Sequence, residues 1–318
     1  MEATSMRHHQ QKNCTCGLSR VDEDRVELTP YFGCPCRYCI KKASTARCEP
    51  QSMSEENLIN AIEYIRNDAR ITQALIVGGD PLVKPKQLFA LLENLASIPH
   101  LNNIRIATRH ALLQPECINE AFIERIASYN YVDYAYPLRS TSVSLDVAIN
   151  HASELQPDVI RALNGFSRRG INARGHAVLL KGVNDDFHSL KNLIDHFLAV
   201  GITPYHLMHC ADAPGGAPLR TNKKKGHTLI TQLMAFSGTY ALPYGYVTAV
   251  GTHYITPGQV LRYENIGGQR FIRARSPYPA ERYKTLSGNS SLPPLHEIDD
   301  QGYIVSHYLD GNDALLVY

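Results

Sequence analysis

The sequence predicts an α/β fold arranged as a partial, open β/α barrel with a short C-terminal extension. Three observations carry this expectation. Short apolar runs alternate with amphipathic stretches over most of the 318 residues. The strand–helix units recur at intervals of roughly thirty to forty residues, the spacing of parallel β/α units. The number of strands, about seven in one winding, suits an open barrel better than a closed eight-stranded one.

The elements follow in order. "RVEL" around Val26 reads as a strand. "SMSEENLINAIEYIRNDA" reads as a helix with a capping box from Ser52 to Glu55 and with Leu58, Ile59, Ile62 and Ile65 at helical spacing. "QALIV" (73–77) is a buried strand and "PKQLFALLENLASI" (85–98) a helix with Leu88, Leu91, Leu92 and Leu95 on one face. "NIRIA" (103–107) and "ECINEAFIERIASY" (116–129) form the next pair, then "SVSLDVAI" (142–149) and "DVIRALNGFSRRG" (158–170), closed by Gly170. "NARGHAVLL" (172–180), "SLKNLIDHFLAVG" (189–201), "TPYHLM" (203–208), "NKKKGHTLITQLMAF" (222–236) and "GYVTAV" (245–250) complete the alternation. The division expected is an N-terminal extension over 1–23, the barrel over 24–252, and an extension or cover over 253–318.

Composition narrows the function classes. The chain is 44% hydrophobic and 19% charged, with net charge +2, which argues against a nucleic-acid binder. Lys223–Lys225 is the one basic run and reads as a solvated helix start, with a phosphate contact as the alternative. No apolar stretch is long enough to span a membrane, and "MEATSMRHHQQKN" has no apolar signal core. The expected location is therefore the cytoplasm, where thiols stay reduced. Eight cysteines in that setting read as ligands or small buried hydrophobes.

In β/α folds the chemistry gathers where strands end. Here the loops after strands are the informative ones: the cysteines follow the first strand, "GGDP" the second, "TRH" the third, "NH" the fourth and "CADAPGG" the sixth. Cys34-Pro-Cys36-Arg-Tyr-Cys39 offers three thiolates on one loop, too close to pair with one another. An iron–sulfur cluster with three protein ligands keeps one iron open. Zinc needs a fourth nitrogen or sulfur, which Cys14 or Cys16 would supply. Spacing alone leaves the two metals level. In Gly78-Gly79-Asp80-Pro81 the two glycines admit a ligand close to the backbone.

The order strand, cysteine loop, helix, strand, "GGDP" resembles the radical SAM superfamily, and more narrowly the lysine 2,3-aminomutase family. The matching segments are "DRVEL", "CRYC", "GGDPL", "SIPHLNNIRIATR", "NHASEL", "VLLKGVNDD", "PYHLMHCADAPG", "LRT", "SGTYALP" and "ITPGQVLRYE", in family order over roughly residues 17–275. The resemblance implies a [4Fe–4S] cluster on Cys34, Cys36 and Cys39 whose open iron is chelated by S-adenosylmethionine (SAM). Reductive cleavage of SAM then gives a radical that abstracts hydrogen from an unactivated C–H bond. It also implies that Gly78, Gly79 and Asp80 receive the SAM amino group and that Tyr38 lies near adenine. Thr108, Arg109, Asn150, His151 and His176 fall at strand ends suited to its carboxylate and ribose. The implied partners are a small-molecule substrate and an electron donor such as flavodoxin or ferredoxin, with the chain a monomer or homodimer.

Three departures from the family pattern bear on the reaction. The family's first cysteine position falls on Phe32, with Cys34 two residues later, so either Cys34 or one of Cys14 and Cys16 completes the cluster. The lysine that anchors pyridoxal phosphate in the family falls on Thr252, which cannot form an imine, so pyridoxal phosphate is doubtful here. The two aspartates that would hold a lysine substrate fall on Ala211 and Gly245, with Asp212 adjacent to the first. The arginine expected to clamp the substrate carboxylate reads Lys41, and Arg25 is retained. The expectation is a radical SAM enzyme acting on a small amino-acid-like substrate without Schiff-base pyridoxal phosphate. The alternatives are a 2,3-aminomutase with a displaced lysine, Lys41 or Lys181, and a non-catalytic zinc-binding relative.

Overall fold

The computed structural model describes residues 17–33, 36–44, 51–248, 250–255 and 262–311. Strands β1 (Leu18–Arg20), β2 (Arg25–Phe32), β3 (Gln51–Ser52), β4 (Gln73–Gly78), β5 (Asn103–Thr108), β6 (Ser142–Ala148), β7 (Asn172–Leu179), β8 (Thr203–His209), β9 (Tyr244–Thr248) and β10 (Gly251–Ile255) form one sheet. Its path runs β1-β2-β4-β5-β6-β7-β8-β9-β10, with β3 paired to β2. β2 and β4 to β9 are parallel, each beside its predecessor, and β1, β3 and β10 are antiparallel additions. The sheet curls into a half-barrel and does not close, as expected.

Helices fill the crossovers: α1 (Lys41–Ser44), α2 (Glu55–Arg66), α3 (Pro85–Ala96), α4 (His110–Leu113), α5 (Glu120–Ala127), α6 (Pro157–Ser167), α7 (Phe187–Ala199) and α8 (Lys223–Phe236). The cap of α2 differs from the expected one. Ser54, not Ser52, accepts the Asn57 N–H, because Ser52 is drawn into β3 opposite Tyr31. No helix among the described residues is long and apolar enough to cross a membrane.

Strand alternation sorts the two faces of the sheet. In β2, Val26 and Leu28 are fully buried, as are Ala74 and Ile76 in β4 and Ala173 and Leu179 in β7. These pack outward against apolar helix residues such as Ile65, Leu92, Phe166 and Phe197. Gly175 marks that outer face: a Cβ there would lie 2.5 Å from the Phe197 ring. Its neighbours Arg174 and His176 therefore face the concave side.

Beyond β10, strands β11 (Arg262–Ile266), β12 (Gln269–Pro279), β13 (His296–Ile298) and β14 (Tyr303–Leu309) form a separate antiparallel sheet, with helix α9 (Ala280–Ser287) after β12. It joins the barrel through Tyr308, whose ring lies 4.6 Å from that of Tyr246. Buried His209 bridges the two: its Nε2 donates to Thr221 O (2.8 Å), which leaves Nδ1 to accept the Tyr308 hydroxyl (3.1 Å).

Candidate active site

The site is built where β2, β4, β6 and β8 end. Gly79 N–H donates to Tyr31 O (2.7 Å), so the end of β2 crosses directly over the end of β4. That crossing explains the glycines. A Cβ on Gly78 would sit 2.1 Å from Tyr31 O, and one on Gly79 2.8 Å from Gly33 N. Gly78 also adopts φ +133°, open to glycine alone at low cost. Gly33 opens the cysteine loop, so the paired glycines set that loop against the strand end.

Cys36 and Cys39 are free, half-buried thiols on one turn, closed by Cys39 N–H to Cys36 O (3.3 Å). Burial pushes the Cys39 thiol up, opposed by the Lys41 backbone N–H and by the charges of Lys41 and Lys42. Cys34, Cys14 and Cys16 lie outside the described residues. Two thiols on one turn, in a loop that Gly33, Gly78 and Gly79 let pack against the strand end, fit a thiolate-ligated cluster. The loop after β8 closes from the other side. A Cβ on Gly215 would lie 3.3 Å from Arg37 O, and one on Gly216 3.8 Å from Tyr38 Cα.

Tyr38 pins the cysteine loop to the barrel wall. Its hydroxyl accepts from Asn150 Nδ2, and Asn150 Oδ1 accepts the Val178 N–H (2.8 Å). Burial pushes the phenol up to about 12, so it stays neutral. Two further residues hold Asn150. Fully buried Asn184 donates to Asn150 O (2.8 Å) and Val178 O (2.9 Å), and Glu154 accepts from Asn150 N and His151 N (3.0 Å each). The sequence reading passed over Asn184 and Glu154. Their signals were the Asn of "GVND" and the i+3 acid of "HASE", a capping-box spacing.

Asp80, Thr108 and Arg109 form the adjoining weld. The Asp80 carboxylate accepts from Thr108 Oγ1 (2.9 Å), Arg109 N (2.6 Å), His110 N (2.8 Å) and Leu82 N (3.1 Å). It thus locks the end of β4 to the start of α4. Asp80 is a non-glycine residue at φ 154°, a conformation that costs about 1–3 kcal/mol and concentrates at functional sites. Arg109 donates to Ala148 O (2.9 Å) and pairs with Glu154 (2.5 Å). The polar side chains at 80, 108, 109 and 150 therefore tie successive strand ends together. The His151 ring accepts the Ser153 N–H and starts the turn after β6.

The positions that the family resemblance relates to substrate are scattered. Lys41 opens α1 beside Cys39, and Arg25 starts β2 at the far end of the concave face. Asp212 is exposed, 3.5 Å from Arg220. Tyr254 occupies the space beside Gly245, where a Cβ would meet its ring at 3.0 Å. Thr252 lies on β10 opposite Val247.

Deeper on the concave face lies a charged floor that the sequence reading did not pick out. Arg105 donates from Nε (3.0 Å) and Nη2 (2.5 Å) to Asp146 Oδ2, and Arg174 Nη2 lies 2.8 Å from Asp146 Oδ1 and 3.1 Å from Ser144 Oγ. Both guanidiniums lie over the Tyr205 ring, at 5.2 and 4.7 Å from its centre. The His176 and His206 rings adjoin this floor, tilted by 41° with their centres 5.4 Å apart. Burial, reinforced by the arginines, drives His176 down to about 4 and His206 to about 3, so both rings are neutral at physiological pH.

With this arrangement in view, comparison with known proteins defines the class. Residues 29–194 match the model of the Radical SAM superfamily, and the chain belongs to that superfamily. Within it the chain is similar to curated L-lysine 2,3-aminomutases. It is 29% identical to that of Clostridium subterminale over 244 residues, covering 76% of this chain and 56% of that one. It is 29% identical to that of Escherichia coli K12 over 238 residues, covering 74% and 66%. The chain thus spans little more than half the length of the first of these relatives. Among solved structures, a radical SAM methyltransferase from Sphaerobacter thermophilus aligns with TM-score 0.46 and 18% identity over 73% of this chain and 69% of that one. The anSMEcpe protein with bound AdoMet and a peptide aligns with TM-score 0.47 and 14% identity over 67% and 59%.

Proposed function

We propose that the chain is a radical SAM enzyme that takes hydrogen from a small, amino-acid-like substrate without a lysine-anchored pyridoxal phosphate. The observation that carries this reading is the convergence of the cysteine loop, the end of β4, Asn150 and the Gly215–Gly216 loop at one mouth of the half-barrel. Cys36, Cys39 and Cys34 would hold a [4Fe–4S] cluster, and the strand end at Gly78–Asp80 and the face of Tyr38 would receive SAM. When bound, cluster and SAM together supply a radical able to break an unactivated C–H bond.

The chain's own contribution is orientation and shielding. Asp80 and Asn150 fix the strand ends, Tyr38 stays protonated and anchors the loop, and the neutral His176 and His206 line the space below. The absence of an imine anchor is supported by the strands themselves: none of β1 to β10 contains a lysine, and Thr252 holds the matched position. Tyr254 in the space beside Gly245 likewise supports a substrate other than lysine. A flavodoxin or ferredoxin in a reducing cytoplasm suits the electron that such chemistry needs. The test is anaerobic reconstitution with iron and sulfide. Wild-type protein should retain about four irons per chain, and Cys36→Ala should lose most of them. Zinc retained in place of iron would remove the proposal.

A further inference from the structure

We infer that the charged floor beneath the SAM mouth is a substrate subsite, and that it takes an oxyanion, either a carboxylate or a phosphate. This inference rests on the enzymatic reading above and names the substrate class for it.

The argument begins with register. Asp146 and Arg174 are ladder partners on β6 and β7, and Arg105 stands on the adjoining strand. All three face the concavity, since Gly175 between Arg174 and His176 packs outward on Phe197. Two guanidiniums share one carboxylate, so one positive charge is left over.

The hydrogen bonds show which cation is free to bind. Arg105 spends Nε and Nη2 on Asp146. Arg174 Nη2 donates to Ser144 Oγ and lies at ion-pair distance from Asp146 Oδ1, which accepts no hydrogen bond, while its Nε–H is buried without a partner. His206 Nδ1 is likewise buried and unpartnered. Buried polar atoms are nearly always satisfied, so three idle ones in a single cluster, Arg174 Nε, His206 Nδ1 and Asp146 Oδ1, point to a missing ligand, and the surplus positive charge sets its sign. The idle faces of guanidinium and imidazole suit an oxyanion.

The backbone adds a second, independent sign. The β7–β8 ladder shifts register between Gly175 and His176, inserting Tyr205 as an extra residue on β8. The irregularity lets both Tyr205 and His206 turn to the concave side, where Tyr205 carries the two guanidiniums and His206 meets His176. Such bulges re-aim side chains next to binding sites. Arg174 lies four residues down β7 from Val178, the residue that Asn150 holds at the mouth, which is about 13 Å along a strand. An anion seated on Arg174 therefore places the remainder of a small metabolite beneath the mouth.

The test is calorimetric titration of the full chain with inorganic phosphate and, separately, with glutarate, at constant ionic strength. Saturable binding of phosphate, weakened about tenfold or more in Arg174→Gln, supports the subsite and assigns a phosphorylated substrate. The same result with glutarate supports it and assigns a carboxylate. If neither probe binds saturably, or if Arg174→Gln binds as wild type does, the inference is overturned. Should Arg174→Gln fail to fold, Arg174→Lys carries the same prediction, because it keeps an ammonium for Asp146 but has no Nε–H. The titration needs no cluster. Loss of SAM cleavage with anion binding intact would therefore sink the enzymatic reading alone, and the reverse would sink the subsite alone.

Discussion

The bond between Tyr38 and Asn150 is a polar tie between the cysteine turn and the barrel wall, and its strength can be worked out. Asn150→Ala removes two interactions: the bond to Tyr38 and the acceptor for Val178 N–H. Leaving Val178 N–H unpartnered costs about 1–3 kcal/mol, and the lost Tyr38 bond adds about 0.5–1.5 kcal/mol net. Tyr38→Phe removes only the second. In a double-mutant cycle the Val178 penalty appears in both backgrounds and cancels, which isolates the tie. The assay is the alkylation rate of Cys36 and Cys39 by iodoacetamide in metal-free protein, since the thiols become reactive when the turn lifts from the wall. A coupling of about 0.5–1.5 kcal/mol corresponds to a rate ratio of about 2- to 13-fold. Asn150→Asp should recover most of the protection, because its carboxylate can accept both the Val178 N–H and the Tyr38 O–H. Coupling below about 0.3 kcal/mol, with alkylation unchanged in Tyr38→Phe, would refute the idea that this bond holds the turn.

Two further outcomes follow from the same geometry. Gly78→Ala combines an unfavourable φ of +133° with a Cβ 2.1 Å from Tyr31 O, and should destabilise by about 2–6 kcal/mol with reduced iron retention; urea unfolding with an unshifted midpoint would contradict it. Acidification should weaken the fold through His176 and His206. Their folded values of about 4 and about 3 lie below the ordinary 6.5, so the unfolded chain binds protons first and stability falls as pH drops from 6.5 toward those values. By pH 5 the loss is at most about 2 kcal/mol per imidazole. Unfolding midpoints at pH 5 and pH 7 should differ less in His206→Gln than in wild type, and equal differences would contradict the assignment.

Much of the barrel was legible because its strands are apolar on the outer face and bounded by glycine and polar loops. "QALIV" and "SVSLDVAI" announce themselves in this way. The short antiparallel pieces did not. β1 and β3 have three and two residues, below any periodic signal, and exist because β2 offers an edge to pair with. β10 was not read as a strand, and the C-terminal sheet was read only as a cover, since hairpin returns through "GTHYI" and "QRFIRARSPYP" carry polar residues throughout.

For the site, the sequence pointed to loops that the fold brings together at one mouth, but not to what their side chains do. Asp80 reads as a ligand when seen alone, yet its four donors come from its own turn and from residues 108–110, brought there by the β4–β5 pairing. The floor was missed for a related reason. Arg105, Asp146 and Arg174 are single charges in three separated strands, and only strand register makes them one cluster.

The measurement that reaches the central claim most directly is anaerobic incubation of reconstituted protein with SAM and dithionite, followed by chromatography for 5′-deoxyadenosine. Wild-type protein should form it, and Cys36→Ala and Cys39→Ala should not. Full iron loading with SAM left intact in the wild type would contradict the account.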